Sequence, residues 1–134
     1  MDNKICYLNA DLDLISAEEL TVLSEAFTAK GVSALSVRQA DDGFWWATFE
    51  TNEHYPKPEE AIDRMLAVVE SLSKTLRAMW DGCKLREVNI GYDCGAEPWA
   101  FNQGLSALLL GRMSAAGLSL RVTIYPDRNE RRPE

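Results

Sequence analysis

Three carboxylates stand where strand ends would place them: Asp11 and Asp13 after a first apolar alternation, and Asp93 after a later one. Carboxylates that converge at strand ends can share a divalent ion through their oxygens. No D-x-D-x-D-G loop accompanies them, and Leu12 and Leu14 continue an extended alternation. The expectation is therefore solvated turn acids and no metal site. His54, the single histidine, sits between Glu53 and Tyr55. A serine or cysteine nucleophile would have to find its base there, but no G-x-S-x-G elbow is present, so an exposed loop histidine is expected. Cys6, Cys83 and Cys94 form an odd set without C-x-x-C spacing, which points away from a disulfide framework and from zinc. Cys6 reads as a buried, inert thiol in a strand. Cys94, in a loop, is the one whose reactivity merits testing. Gly91, Gly95 and Gly104 match neither G-x-x-x-x-G-K-[ST] nor G-x-G-x-x-G, so no nucleotide cradle is expected. These patterns together predict no catalytic residue and no cofactor.

The richest chemistry lies in residues 88–104, VNIGYDCGAEPWAFNQG. A strand pattern runs into a polar and aromatic loop, and loops carry function more often than cores do. Tyr92, Asp93, Trp99 and Asn102 could line a small-ligand pocket there. Trp45, Trp46, Trp80, Trp99 and Phe101 are the large aromatics left once the apolar stripes are filled. Aromatics flanked by acids suit a protein interface. Asp41, Asp42, Trp45, Asp93, Glu97 and Trp99 are accordingly the candidate partner-binding residues.

Charge narrows the partners. The formal net charge is −7, whereas nucleic-acid binding rests on Lys and Arg that neutralise phosphates; no nucleic acid is expected. No apolar run approaches the roughly 20 residues that span a bilayer, so no membrane is expected. The acidic start, MDNKICYLNADLDL, lacks the basic and then long apolar pattern of a secretory signal, and a cytoplasmic location follows as the expectation. With 134 residues, 46% hydrophobic and 26% charged, a single α+β domain over 1–126 is expected, followed by a charged C-terminal tail, 127–134, whose opposite charges cancel.

The elements that must position these residues follow from periodicity. Residues 4–8 read as a first strand, followed by an acidic turn. Ser16 and Glu19 form a capping-box pattern ahead of a helix whose Leu20, Leu23 and Phe27 share a face, closed by Gly31. Residues 32–38 and 44–51 read as strands joined by the Asp41-Asp42-Gly43 turn. Leu35 and Val37 are the inward candidates of the first. In the second, Trp45 and Trp46 must point to opposite faces. Residues 58–80 predict one long helix with Ile62, Met65, Leu66, Val69, Leu72, Leu76 and Met79 on a stripe. A strand over 85–92, a helix capped by Asn102 with Leu105, Leu108, Leu109 and Met113 on one face, and a strand over 118–125 complete the chain. In that last strand Leu120, Val122 and Ile124 are expected inward. The order β-α-β-β-α-β-α-β suits a ferredoxin-like split β-α-β core extended by one right-handed crossover. It predicts one five-stranded mixed or largely antiparallel sheet with helices on one face.

With the stretch LSALLLGRMSAAGLSLRVTIY at 105–125, the chain resembles small bacterial domains of unknown function that carry a further helix and terminal strand on a split β-α-β unit. That resemblance implies no catalytic residues. In size, acidity and lack of catalytic motif the chain is also similar to bacterial toxin-immunity proteins, which bind one toxin and block it. The functional expectation is a non-catalytic protein-binding module, most concretely an immunity protein steered to a basic toxin domain. The alternatives are a ligand-binding or enzymatic domain at loop 93–102, and a homo-oligomer whose open sheet face is covered by a second copy.

Overall fold

A computed structural model describes residues 3–126; the charged tail expected at 127–134 lies outside the described residues. The chain runs β1 (Cys6–Ser16), α1 (Thr21–Ala29), β2 (Val32–Gln39), β3 (Trp45–Thr51), α2 (Pro58–Glu70), α3 (Lys74–Asp81), β4 (Leu85–Asp93), α4 (Ala107–Ala116) and β5 (Ser119–Tyr125). The sheet order is β2-β3-β1-β4-β5. The first four strands pair antiparallel, with β1 between β3 and β4. This is the split β-α-β arrangement the element order predicts. β5 joins β4 in parallel through the α4 crossover, which makes the sheet mixed. The fold is α+β.

One face of the sheet carries the core. Ala10, Leu12 and Leu14 of β1, Ala47 and Phe49 of β3, and Val88 and Ile90 of β4 are buried against Leu23 and Phe27 of α1, Ile62, Met65, Leu66 and Val69 of α2, and Leu109 and Met113 of α4. Trp80 of α3 is fully buried and stacks on Phe27 with ring centroids 5.8 Å apart. Its indole Nε1 donates to the Ala116 carbonyl at 2.8 Å, joining α3 to the end of α4. The Arg86 guanidinium reinforces that corner by donating to the carbonyls of Trp80, Asp81, Cys83 and Gly117.

Several local expectations are corrected. β1 extends through the stretch read as an acidic turn, because its acids point to the uncovered face while Leu12 and Leu14 point inward. Ser16 ends that strand instead of capping a helix. Its hydroxyl accepts from the Glu18 amide at 3.0 Å in a tight turn, and α1 begins after Leu20 without a side-chain cap. The long helix over 58–80 is two helices, broken at Ser71 to Ser73, where the Ser73 hydroxyl accepts from the Leu76 amide and starts α3. α4 is capped by Ser106, not Asn102. The Ser106 amide in turn donates to a Glu59 carboxylate oxygen at 2.9 Å, so α2 helps cap α4. Leu108 is solvent-exposed because α4 buries only Leu109, Met113 and Ala116. Leu35 is also exposed: a bulge between Ala34 and Ser36 sets two residues against one on β3 and turns Leu35 to the open face. Cys6 is exposed and Cys83 is the buried thiol.

The glycine and turn expectations hold. Gly31 and Gly117 follow helices with φ of 93° and 67°, values that favour a residue without Cβ. In the β2–β3 turn the Ala40 amide donates to the Phe44 carbonyl at 2.8 Å.

Candidate functional site

Cross-strand register fixes where the candidate residues lie. β1 pairs Ser16 with Trp45 at one end and Cys6 with Asp93 at the other. Ten residue steps along a strand rise roughly 33 Å. Asp41, Asp42 and Trp45 therefore sit at one end of the sheet, and Asp93, Glu97 and Trp99 at the opposite end. The six do not form one surface. Trp45 points to the helix side and packs against the core, beside Ala34 and Val37. Its neighbour Trp46 takes the open face, partly exposed, with the Arg38 guanidinium 5.9 Å from its ring. Alternation requires one tryptophan on each face, and the buried Ala47 and Phe49 decide which.

The loop after β4 organises the second end. It is held to the start of the chain by main-chain bonds: Ala96 N donates to Asn3 O at 2.9 Å, and Ile5 N to Glu97 O at 2.7 Å. Gly95 makes that approach possible, since a Cβ there would lie 2.6 Å from the Lys4 carbonyl carbon and 2.8 Å from Ile5 N. The loop then passes Trp99, 98% exposed, before Phe101 meets the Tyr92 ring edge-on at 5.7 Å. Tyr92 also meets Tyr7 edge-on at 6.0 Å, and its hydroxyl donates to Gln103 Oε1 at 2.7 Å. Burial raises the pKa of both phenols, Tyr7 to about 12, so both remain neutral donors at physiological pH.

Beside this loop lies a groove of about 400 Å³ lined by Ile5, Tyr92, Cys94, Phe101, Gln103, Val122 and Ile124. It opens at the carboxyl ends of the parallel pair β4 and β5, the end of such pairs where ligands commonly bind. Of the candidate ligand residues, Tyr92 lines this groove. Asn102 lines a neighbouring depression with Lys57, Glu59 and Glu60. Asp93 ends β4, and Trp99 stands in solvent. Ile5, Gln103, Val122 and Ile124 escaped sequence reasoning as groove residues. Only the alternation of β5 carried a signal for two of them.

β5 itself is the main departure from the sequence expectation. Leu120, Val122 and Ile124 share the helix-side face with Val88, Ile90 and Tyr92, yet they are 44%, 52% and 64% exposed. α4 packs over α2, where Arg112 grips Glu70 through two bonds of 2.9 and 3.0 Å, and does not cover them.

The open sheet face is polar and cross-linked. Thr48 donates to Asp13 at 2.9 Å, Arg121 to Glu87 at 2.7 Å, and Thr123 to Asn89 at 2.8 Å. Asp11 lies mid-strand opposite Asn89, away from Asp93 at the strand end, so the three acids do not converge. Among the described residues, no group of three or more His, Cys, Asp or Glu is placed to hold a metal ion. Burial, then Glu50 and Asp13, push the Asp11 carboxyl up to about 6.

A raised carboxyl pKa favours the folded chain when protonated. The stability tied to Asp11 is thus fully present below its unfolded value of about 4 and lost as pH rises through about 6. Allowing for solvent screening of a half-buried group, Asp11→Asn should stabilise the domain at neutral pH by about 1 kcal/mol. It should also flatten the gain in stability seen on acidification. Asp13, likewise raised by burial, keeps part of that slope. Urea unfolding across that pH window checks this; an unchanged slope in the variant would place the effect elsewhere.

Comparison with known protein families, curated proteins and solved structures finds no match to this chain. Fold and site together define an α+β domain with a ferredoxin-like core and an apolar groove at one end of its sheet. Among the described residues, no helix is long and apolar enough to cross a membrane.

Proposed function

We propose that the chain is a protein-binding module whose recognition surface is the groove end of the sheet, with Trp99 as its anchor. The observation that carries this reading is the exposure of Trp99, two residues before Phe101, which lines the groove with Val122 and Ile124. A large aromatic held out by a braced loop keeps much of its contact area for a partner, and such residues dominate interface energetics. Glu97 shares the loop, and the net charge of −7 favours a basic partner. A basic toxin domain, with this chain as its immunity protein, is the most concrete form of the proposal. Asp41, Asp42 and Trp45, at the far end of the sheet, fall outside this surface.

The test uses a basic protein encoded beside this chain's gene, with binding followed by surface plasmon resonance at low and high salt. Trp99→Ala should weaken binding at least about tenfold, mainly through the off-rate, because buried contact is lost. Glu97→Gln should mainly slow association, and less so at high salt. Asp42→Asn should leave both rates unchanged. Binding that ignores Trp99 but depends on Asp42 would move the surface to the other end of the sheet.

A second reading rests on the groove's volume, which falls within the range of small-molecule sites. Tyr92 and Gln103 would give an apolar ligand one polar end. Such a ligand would bind without any partner protein and would tolerate Trp99→Ala.

A further inference from the structure

We propose that β5 pairs antiparallel with β5 of a second copy, about a two-fold axis at Val122, to make one continuous sheet from the five strands of each chain. This goes beyond the partner surface at Trp99, with whose groove it shares Val122 and Ile124, and rests on the main-chain register of β5 and the symmetry of its apolar stripe.

The first concerns the main chain. β5 is an edge strand of seven residues. Natural edges are guarded by bulges, prolines, charges or a covering element. The opposite edge, β2, has its bulge at Ala34 to Ser36 and packs against α1. β5 keeps unbroken register with β4 from Ser119 to Tyr125. Its single charge, Arg121, donates to Glu87 of the neighbouring strand. The Tyr125 carbonyl accepts from Cys94 N on the β4 side. Main-chain groups alternate direction along a strand, so those of Leu120, Val122 and Ile124 face outward. With Val122 opposite its two-fold mate, Leu120 lies opposite Ile124, and all three positions become hydrogen-bonded pairs.

The second concerns the side chains. Leu120, Val122 and Ile124 form an exposed apolar stripe that maps onto itself under that two-fold axis, as an isologous interface requires. Arg121 falls opposite Thr123, so no like charges meet across the ladder. The open sheet face is the poorer place for a second copy. It would bury Asp11, Asp13, Glu50 and Glu87, and burying carboxylates without new partners is costly.

Two copies of net charge −7 repel one another, so salt should strengthen this association. A basic partner at the Trp99 surface would show the opposite trend. The experiment is sedimentation equilibrium on the full chain over a dilution series at low and high salt. The expected result is a monomer–dimer equilibrium that shifts toward dimer with salt. Val122→Lys, which sets two ammonium groups against each other at the axis, should weaken the dimer at least tenfold. Ile124→Lys should act in the same direction, and circular dichroism should show both variants folded. In a background with Cys6 and Cys94 changed to serine, Val122→Cys should cross-link on mild oxidation, because opposed Cα atoms about 5.5 Å apart suit a disulfide. A chain that stays monomeric at every concentration and salt overturns the proposal and leaves the edge to a strand of another protein. A dimer that ignores both lysine variants also overturns it. Both outcomes are read on the chain alone, so they are distinguishable from the Trp99 measurement, which is made with a basic partner present.

Discussion

Replacing Trp80 with alanine should destabilise the domain by about 3–5 kcal/mol, the range for truncating a large buried aromatic. Trp80 has no exposed surface, stacks on Phe27, and holds the last turn of α4 through its indole nitrogen. Truncation would open a cavity between α1 and α3 and leave the Ala116 carbonyl without its indole donor. Trp80→Phe separates these effects: it keeps most of the apolar contact and loses the hydrogen bond, so it should cost about 1–3 kcal/mol. Urea unfolding of both variants measures the difference. If the alanine variant lost less than about 1 kcal/mol, the corner formed by α3, α4 and Arg86 would not be the rigid junction described.

Leu66→Ala should cost about 2–5 kcal/mol, whereas Leu72→Ala should cost clearly less, about 1 kcal/mol. On a single helix over 58–80 the two leucines would be equivalent stripe positions. The break at Ser71 to Ser73 makes them unequal. Leu66 is fully buried in the middle of α2, while Leu72 sits in the connection and packs only partly against the core. Equal losses at the two sites would contradict the break and restore one continuous helix.

That helix shows where sequence reasoning reached its limit. Leu72, Leu76 and Met79 keep helical spacing across the break, so periodicity cannot reveal it. Ser73 could have done so, since it is a good capping residue. Yet the same signal at Ser16 belongs to a strand end. A capping residue names a place where a helix could start; packing decides whether it does. Alternation was more dependable. It required one tryptophan on each face of β3, without saying which, and put Leu120, Val122 and Ile124 on the helix side. It could not show that no helix would lie above those last three. Burial depends on where α4 lands, and that is set by contacts such as Arg112 with Glu70. The candidate residues divided for a similar reason. Asp42 and Glu97 look alike in sequence, but the antiparallel register of β1 sends them to opposite ends.

The central place of β1 bears on how the chain folds. Leu12 pairs with Phe49 on one side and Val88 on the other, so both partners lie far along the chain. Among the described strands, only the β2–β3 hairpin is built from near neighbours. A topology dominated by such distant pairings folds more slowly than a helical bundle of similar length. A chain emerging from its first residue must carry Ala10, Leu12 and Leu14 without a partner strand until residues beyond 45 have been made. β1 cannot gain its second neighbour until β4 exists. The groove-bearing loop closes against residues 3–5 only after that, and β5 adds last, onto a sheet already formed.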